Sequence, residues 1–191
     1  MKPNAPDKQR QKPDLVLLDR DGVINHDSDD YIKTPSEWTP IDGSIDAISQ
    51  LQLKGIVVAV CTNQSGLARG LIKRPDLLSM HSLCNQKILE SGGRPIKFFF
   101  CPHLPSHECE CRKPQPDLIR FAMAEFGVTS NRTIFIGDSI SDLKAALANQ
   151  IEFALVSTGN GKQTHNKLGT EEKDTIQYHS NLASYVESLK L

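Results

Sequence analysis

"LVLLDRDGVIN", residues 15–25, sets two aspartates, Asp19 and Asp21, where an uninterrupted apolar run stops. Four apolar residues without alternation read as a strand covered on both faces, the pattern of a parallel sheet. Four further runs share that character: "IVVAVC" (56–61), "IKFFFC" (96–101), "TIFIG" (133–137) and "FALVS" (153–157). Between them lie segments with helical apolar spacing. "GSIDAISQLQLKG" carries Ile45, Ile48 and Leu51 and stops at Gly55, a suitable helix-terminating glycine. "RPDLLSMHSLCNQKILESGG" and "QPDLIRFAMAEFG" open on proline and close on glycine. "SISDLKAALANQ" follows the fourth strand, and "NLASYVESLKL" supplies a last helix. Strand and helix alternating through short joints predict a single doubly wound, Rossmann-like α/β domain with a parallel central sheet over residues 14–191. Residues 1–13, polar and proline-containing, read as a flexible N-terminal extension, and residues 159–178 as a polar surface excursion.

With 191 residues the chain can bury a core without staples, and 22 basic against 23 acidic residues (net charge -1) suggest no polyanion-binding surface, hence no nucleic-acid partner. No uncharged apolar run is long enough to cross a bilayer, and the amino terminus lacks the apolar segment of a secretory signal. A cytoplasmic protein with no membrane partner is therefore expected, and a monomer, for want of an exposed apolar stripe. Of five cysteines, Cys101, Cys109 and Cys111 cluster within eleven residues. In a reducing compartment that points to metal or catalysis before disulfides. Cys61 and Cys84 read as core residues.

In an open α/β sheet, ligands bind beyond the carboxyl ends of the strands. Those ends carry "DRDG", "TNQSG" and "GDSISD", and "CRKP" precedes the helix after strand three. Asp19, Asp21 and Asp138 would repel one another unless protonated or bound to a cation. Oxygen ligation with open positions suits Mg2+. Lys113 offers a compact positive charge and Thr62 a hydroxyl, both suited to phosphate oxygens. One aspartate can attack phosphorus and the other, two residues on, can pass protons. An extended i, i+2 pair points to one side, which would turn Arg20 the other way, into the fold. His26, His81, His165 and His179 receive no role, and "STGNGK" (157–162) reads as a connection.

The D-x-D-G at strand one, Thr62 at strand two, Lys113 before a helix, and G-D-x-x-x-D at strand four resemble the haloacid dehalogenase superfamily of phosphotransferases. The resemblance implies Asp19 as nucleophile and Asp21 as general acid/base. It implies Mg2+ held by Asp19, the Asp21 backbone carbonyl and Asp138, with Thr62 and Lys113 stabilising the phosphoryl group. Asp142 would orient Lys113 or the metal shell. Two departures stand out: Val23 where many members carry Thr, and Ser139 where relatives often carry a base.

"CPHLPSHECECRKP" gives Cys101, His103, Cys109 and Cys111, three thiolates and one imidazole, the pattern of a closed structural Zn2+ site. His107 is a rival for the imidazole position. The loop adjoins Arg112 and Lys113, so a metal there would help position the lysine. This segment resembles two families of short phosphatases, acting on heptose bisphosphate and on histidinol phosphate, and "TNQSGLARG" (62–70) favours the first. That likeness implies substrate contacts from Thr62, Asn63, Gln64 and Ser65, from the Asp27 to Tyr31 stretch, and from Arg112. The expected activity is removal of the 7-phosphate from a heptose bisphosphate, a small sugar-phosphate substrate. The alternatives are a histidinol-phosphate phosphatase and a catalytically silent module that binds phosphorylated ligands. Neither residues 22–45 nor the joint between strands two and three leaves room for a cap domain.

Overall fold

The computed structural model describes residues 12–189. The expected N-terminal extension therefore lies largely outside the described residues, at 1–11, as do residues 190 and 191. Six strands form one parallel sheet: β1 (Leu15–Leu18), β2 (Val57–Asn63), β3 (Lys97–Cys101), β4 (Thr133–Gly137), β5 (Glu152–Val156) and β6 (Gln177–His179), in the spatial order β3-β2-β1-β4-β5-β6. β1 pairs with β2 from Leu15↔Val57 to Leu18↔Val60, and with β4 from Leu15↔Thr133 to Leu18↔Ile136.

The pleat explains the unbroken apolar runs. Val16 and Leu18 face a core shared with α1 (Ser44–Leu53), α2 (Arg74–Glu90) and α7 (Leu182–Ser188). Leu15 and Leu17 face a second core built with α3 (Asp117–Phe126) and α4 (Ile140–Ala148). With helices on both sides, alternate residues serve opposite cores, so every position must be apolar. α1 and α3 end as anticipated, ahead of Gly55 and Gly127 at φ +76 and +64.

The excursion expected at 159–178 is structured instead: α5 (Gly161–Lys167), α6 (Thr170–Thr175) and β6. β6 is a three-residue edge strand paired with β5 alone and only partly covered, so it needs no apolar run to announce it. Between β1 and α1 there is one 3₁₀ turn, Pro35–Glu37, and residues 64–73 form an element-free loop, so no cap domain interrupts the fold. The strand order reverses between β1 and β4, and the crevice beyond their carboxyl ends is where a ligand has access.

Candidate active site

Register alone brings the acids together. Leu18 lies opposite Ile136, so Asp19, one residue past β1, meets the Gly137–Asp138 end of β4, and its N–H donates to the Ile136 carbonyl at 2.9 Å. Carboxylate oxygens of Asp19, Asp138 and Asp142 lie within 4.8 Å of one another. Lys113, distant in sequence, joins them: its Nζ is 2.9 Å from Asp19 Oδ1 and 2.6 Å from Asp142 Oδ1. Its backbone is gripped from β2, since Asn63 Nδ2 donates to the Lys113 carbonyl at 3.0 Å and Asn63 Oδ1 accepts from the Lys113 N–H at 3.1 Å. Lys113 is 2% exposed. Burial pulls its pKa down, but Asp142 and Asp19 together push it above the usual lysine value, so it stays charged.

Asp21 is held differently from the sequence reading. Arg20 does turn into the fold, at 2% exposure, but its guanidinium returns to clamp Asp21, Nε to Oδ1 at 3.0 Å and Nη2 to Oδ2 at 2.9 Å. The cause is local. The Arg20 carbonyl accepts N–H bonds from Val23, Ile24 and Asn25, so the chain turns instead of staying extended. The i, i+2 rule therefore ends with the strand. Asn25 Nδ2 and Gln64 Nε2 add bonds to Asp21 Oδ1 and Oδ2, each at 2.9 Å. Burial pushes Asp21 up, but Arg20 and these donors outweigh it and hold the carboxyl below its ordinary value. Gln64 also donates to Thr62 Oγ1 at 3.0 Å, so this motif braces the site as well as facing it.

The other two acids shift the opposite way. Burial pushes Asp19 up to about 7, against the pull of Lys113 and aided by Asp142 and Asp21. Burial, then Asp142 and Asp19, push Asp138 up to about 8, against the Asn160 N–H and Lys113. Protonation or a divalent cation relieves such a cluster, and the donor set fits Mg2+. Asp142 is occupied: Oδ2 accepts from Ser139 N at 3.1 Å and Ser139 Oγ at 2.7 Å, and Oδ1 faces Lys113. Ser139 is thus the cap of α4, which explains a serine where relatives often carry a base. Asp19 Oδ2 and Asp138 Oδ1 accept no hydrogen bond among the described residues, leaving two hard oxygens for a cation that keeps open positions. Backbone packs tightly beneath them. A Cβ on Gly22 (φ +81) would stand 2.3 Å from Asp138 Oδ2, and one on Gly159 (φ +55) 2.2 Å from the same atom.

Above the acids opens a cleft of about 290 Å³. Asp19, Asp21, Asp27, Tyr31, Thr62, Asn63, Gln64, Arg112 and Asp138 line it. Ser65, also expected to contact substrate, is buried and is not among the residues that line it. Its backbone carbonyl accepts from the Arg69 N–H at 3.0 Å. Asn160 also lines the cleft and was missed. The only signal was Gly-Asn-Gly within "STGNGK", read as a connection.

The second cluster sits at the end of β3. Cys101 Sγ is 3.6 Å from His103 Nδ1 and 3.7 Å from Cys109 Sγ, and Cys111 Sγ is 3.4 Å from His103 Nδ1 and 3.6 Å from Cys109 Sγ. Zn–S bonds of about 2.3 Å and Zn–N bonds of about 2.0 Å at tetrahedral angles imply edges of about 3.75 Å between sulfurs and about 3.5 Å from sulfur to nitrogen. The observed edges agree with that tetrahedron. His107 is not a member, since its Nδ1 accepts from the Leu104 N–H at 3.4 Å. Arg112, in the cleft, donates to the His103 carbonyl at 3.3 Å, which joins this loop to the site.

A doubly wound parallel sheet with paired acids after strand one, a buried lysine and an acid after strand four defines a phosphatase of the haloacid dehalogenase type. A family model described as HAD-hydrolase-like matches residues 110–184. The chain is 48% identical to a D-glycero-β-D-manno-heptose-1,7-bisphosphate 7-phosphatase from Pseudomonas putida, over 80% of this chain and 87% of that one. It is 40% identical to its namesake from Neisseria meningitidis serogroup A, over 90% and 91%. The crystal structure of D,D-heptose 1,7-bisphosphate phosphatase from B. bronchiseptica, complexed with magnesium and phosphate, matches with a TM-score of 0.87 at 38% identity, covering 94% of this chain and 98% of that one. The chain belongs to this family of heptose-bisphosphate phosphatases.

Proposed function

We propose that the chain hydrolyses the 7-phosphate of D-glycero-β-D-manno-heptose 1,7-bisphosphate through an aspartyl-phosphate on Asp19, as a single domain over residues 14–191. The observation that carries this reading is the meeting of Asp19, Asp138 and Lys113 at one strand-end crevice, in a chain similar to such enzymes over most of its length. When bound, Mg2+ supplies positive charge for the phosphoryl oxygens and lowers the carboxylate pKa values; Asp19, Asp138 and the Asp21 carbonyl would hold it. Asp19 attacks phosphorus while the bond to the sugar oxygen breaks, and Asp21 gives that oxygen its proton. Water then attacks the acyl-phosphate and returns a proton to Asp21, freeing phosphate and Asp19. The bonds from Arg20, Asn25 and Gln64 favour ionised Asp21, the form required of the base in the second half. For the first half it must take up a proton, which an incoming phosphate dianion favours by repulsion.

Lys113 and Thr62 neutralise and orient the phosphoryl oxygens; Asp27, Tyr31, Asn63, Gln64 and Arg112 face the rest of the sugar phosphate. Cys101, His103, Cys109 and Cys111 hold Zn2+ as a structural ion, since all four positions of a tetrahedron are supplied by protein. The test is phosphate release from the 1,7-bisphosphate in Mg2+, with the product analysed for a retained 1-phosphate. Preference for histidinol phosphate, or no turnover of either compound, would overturn the reading.

A further inference from the structure

The segment 157–162 is built into the site. Thr158 Oγ1 donates to the Gly22 carbonyl at 2.6 Å, Gly159 abuts Gly22, and the Asn160 N–H donates to Asp138 Oδ2 at 2.7 Å. The side chain of Asn160 then stands between two carboxylates. Its Nδ2 is 3.1 Å from Asp27 Oδ2 and 3.4 Å from Asp138 Oδ2. Asp27 is exposed on the loop at the outer rim, whereas Asp138 is buried on the floor. An amide nitrogen carries two N–H groups and no charge, so it can serve both acceptors without competing with a cation for the floor. A lysine there would oppose the cation, and a carboxylate would repel both partners.

We propose that Asn160 is a positioning residue that ties the 27–31 loop to the metal-facing carboxylate of Asp138, so that order at the rim and cation affinity at the floor rise and fall together. This rests on the reading above that Asp138 holds Mg2+. Asn160 acts through its two partners: its backbone and side-chain bonds hold Asp138, and its side-chain bond to Asp27 holds the rim.

Mn2+, visible by electron paramagnetic resonance, serves as the probe of the floor with no substrate present. KM and kcat for the heptose bisphosphate are measured separately in saturating Mg2+. Asn160→Ala is expected to weaken Mn2+ binding about threefold and raise KM about fivefold, with kcat within about twofold, the size of one lost hydrogen bond. Asp27→Ala should raise KM equally, and the double variant should be no worse than either single one. Asp27→Asn removes the same charge but keeps an accepting oxygen, so it should recover most of the KM and bind Mn2+ more tightly than Asp27→Ala. Because Asp27 is exposed, that pair decides the matter even where Asn160→Ala fails to fold. KM effects that multiply, unchanged Mn2+ affinity in Asn160→Ala, or equal Mn2+ loss in Asp27→Ala and Asp27→Asn would overturn the proposal while leaving the phosphatase reading intact. If the unaltered protein binds no Mn2+, the metal reading fails and the proposal with it.

Discussion

Two clusters of metal-ligand type lie beyond the carboxyl ends of the strands, one at the centre of the sheet and one at its edge, and are built on opposite plans. The acids at the ends of β1 and β4 offer oxygens only, and two of those oxygens accept no hydrogen bond among the described residues. The cysteines and histidine after β3 close on one another, four ligand atoms all within 4.8 Å and four of their separations those of a zinc tetrahedron. An incomplete set leaves coordination positions for a substrate, so it suits chemistry; a complete one leaves none and suits architecture. Residue type and ligand count thus set apart a cluster able to take part in chemistry from one able to serve as a brace.

Experiments that break this contrast differ widely in expected size. Asp19→Asn should cut phosphate release by at least about 10⁴-fold, because an amide cannot form the acyl-phosphate. Its thermal unfolding midpoint in the absence of Mg2+ should not fall, since a buried, repelled carboxylate has been removed. Cys109→Ser, or removal of Zn2+ verified by metal analysis, should lower turnover about 10- to 100-fold and raise hydrogen exchange across 101–113. Full activity in a demonstrably zinc-free sample would show that the brace does not reach Lys113. Gly159→Ala should weaken Mg2+ activation about tenfold, because its Cβ would displace Asp138 Oδ2 and alanine is strained at φ +55. An unchanged Mg2+ requirement would mean the floor is more yielding than its packing indicates.

The smallest effect concerns pH. Burial pushes Asp19 up to about 7 and Asp138 up to about 8 in the metal-free fold, above the ordinary aspartate value of the unfolded chain. The folded state therefore holds the extra protons, and their stabilising contribution is lost as pH rises through those values. A metal ion requires the ionised forms, so the gain in melting temperature on adding Mg2+ should grow between pH 6 and 8.5. An equal gain at both ends would show the acids already ionised at pH 6.

The sequence made the architecture and most of the site readable for one reason: both depend on strands buried on two faces. Runs such as "LVLL" must be apolar throughout, and the polar residue that ends each run is then conspicuous. Asp19, Thr62 and Asp138 were found that way, and the cysteines by ligand spacing. β6 escaped because a three-residue edge strand is not required to be apolar. The Arg20 clamp escaped because it depends on a turn formed by three N–H groups on one carbonyl, which no periodicity encodes. Asn160 escaped because its role comes from a contact with Asp27, far away in sequence.

Lys113 has two anionic neighbours, and they differ in permanence. In the proposed mechanism Asp19 would surrender its charge on becoming an anhydride, whereas Asp142, fastened by Ser139 at the start of α4, takes no part in the bonds made and broken. The ammonium would thus keep its contact with Asp142 during turnover, and the surroundings would need little rearrangement as negative charge passes from a side chain to the transferred group.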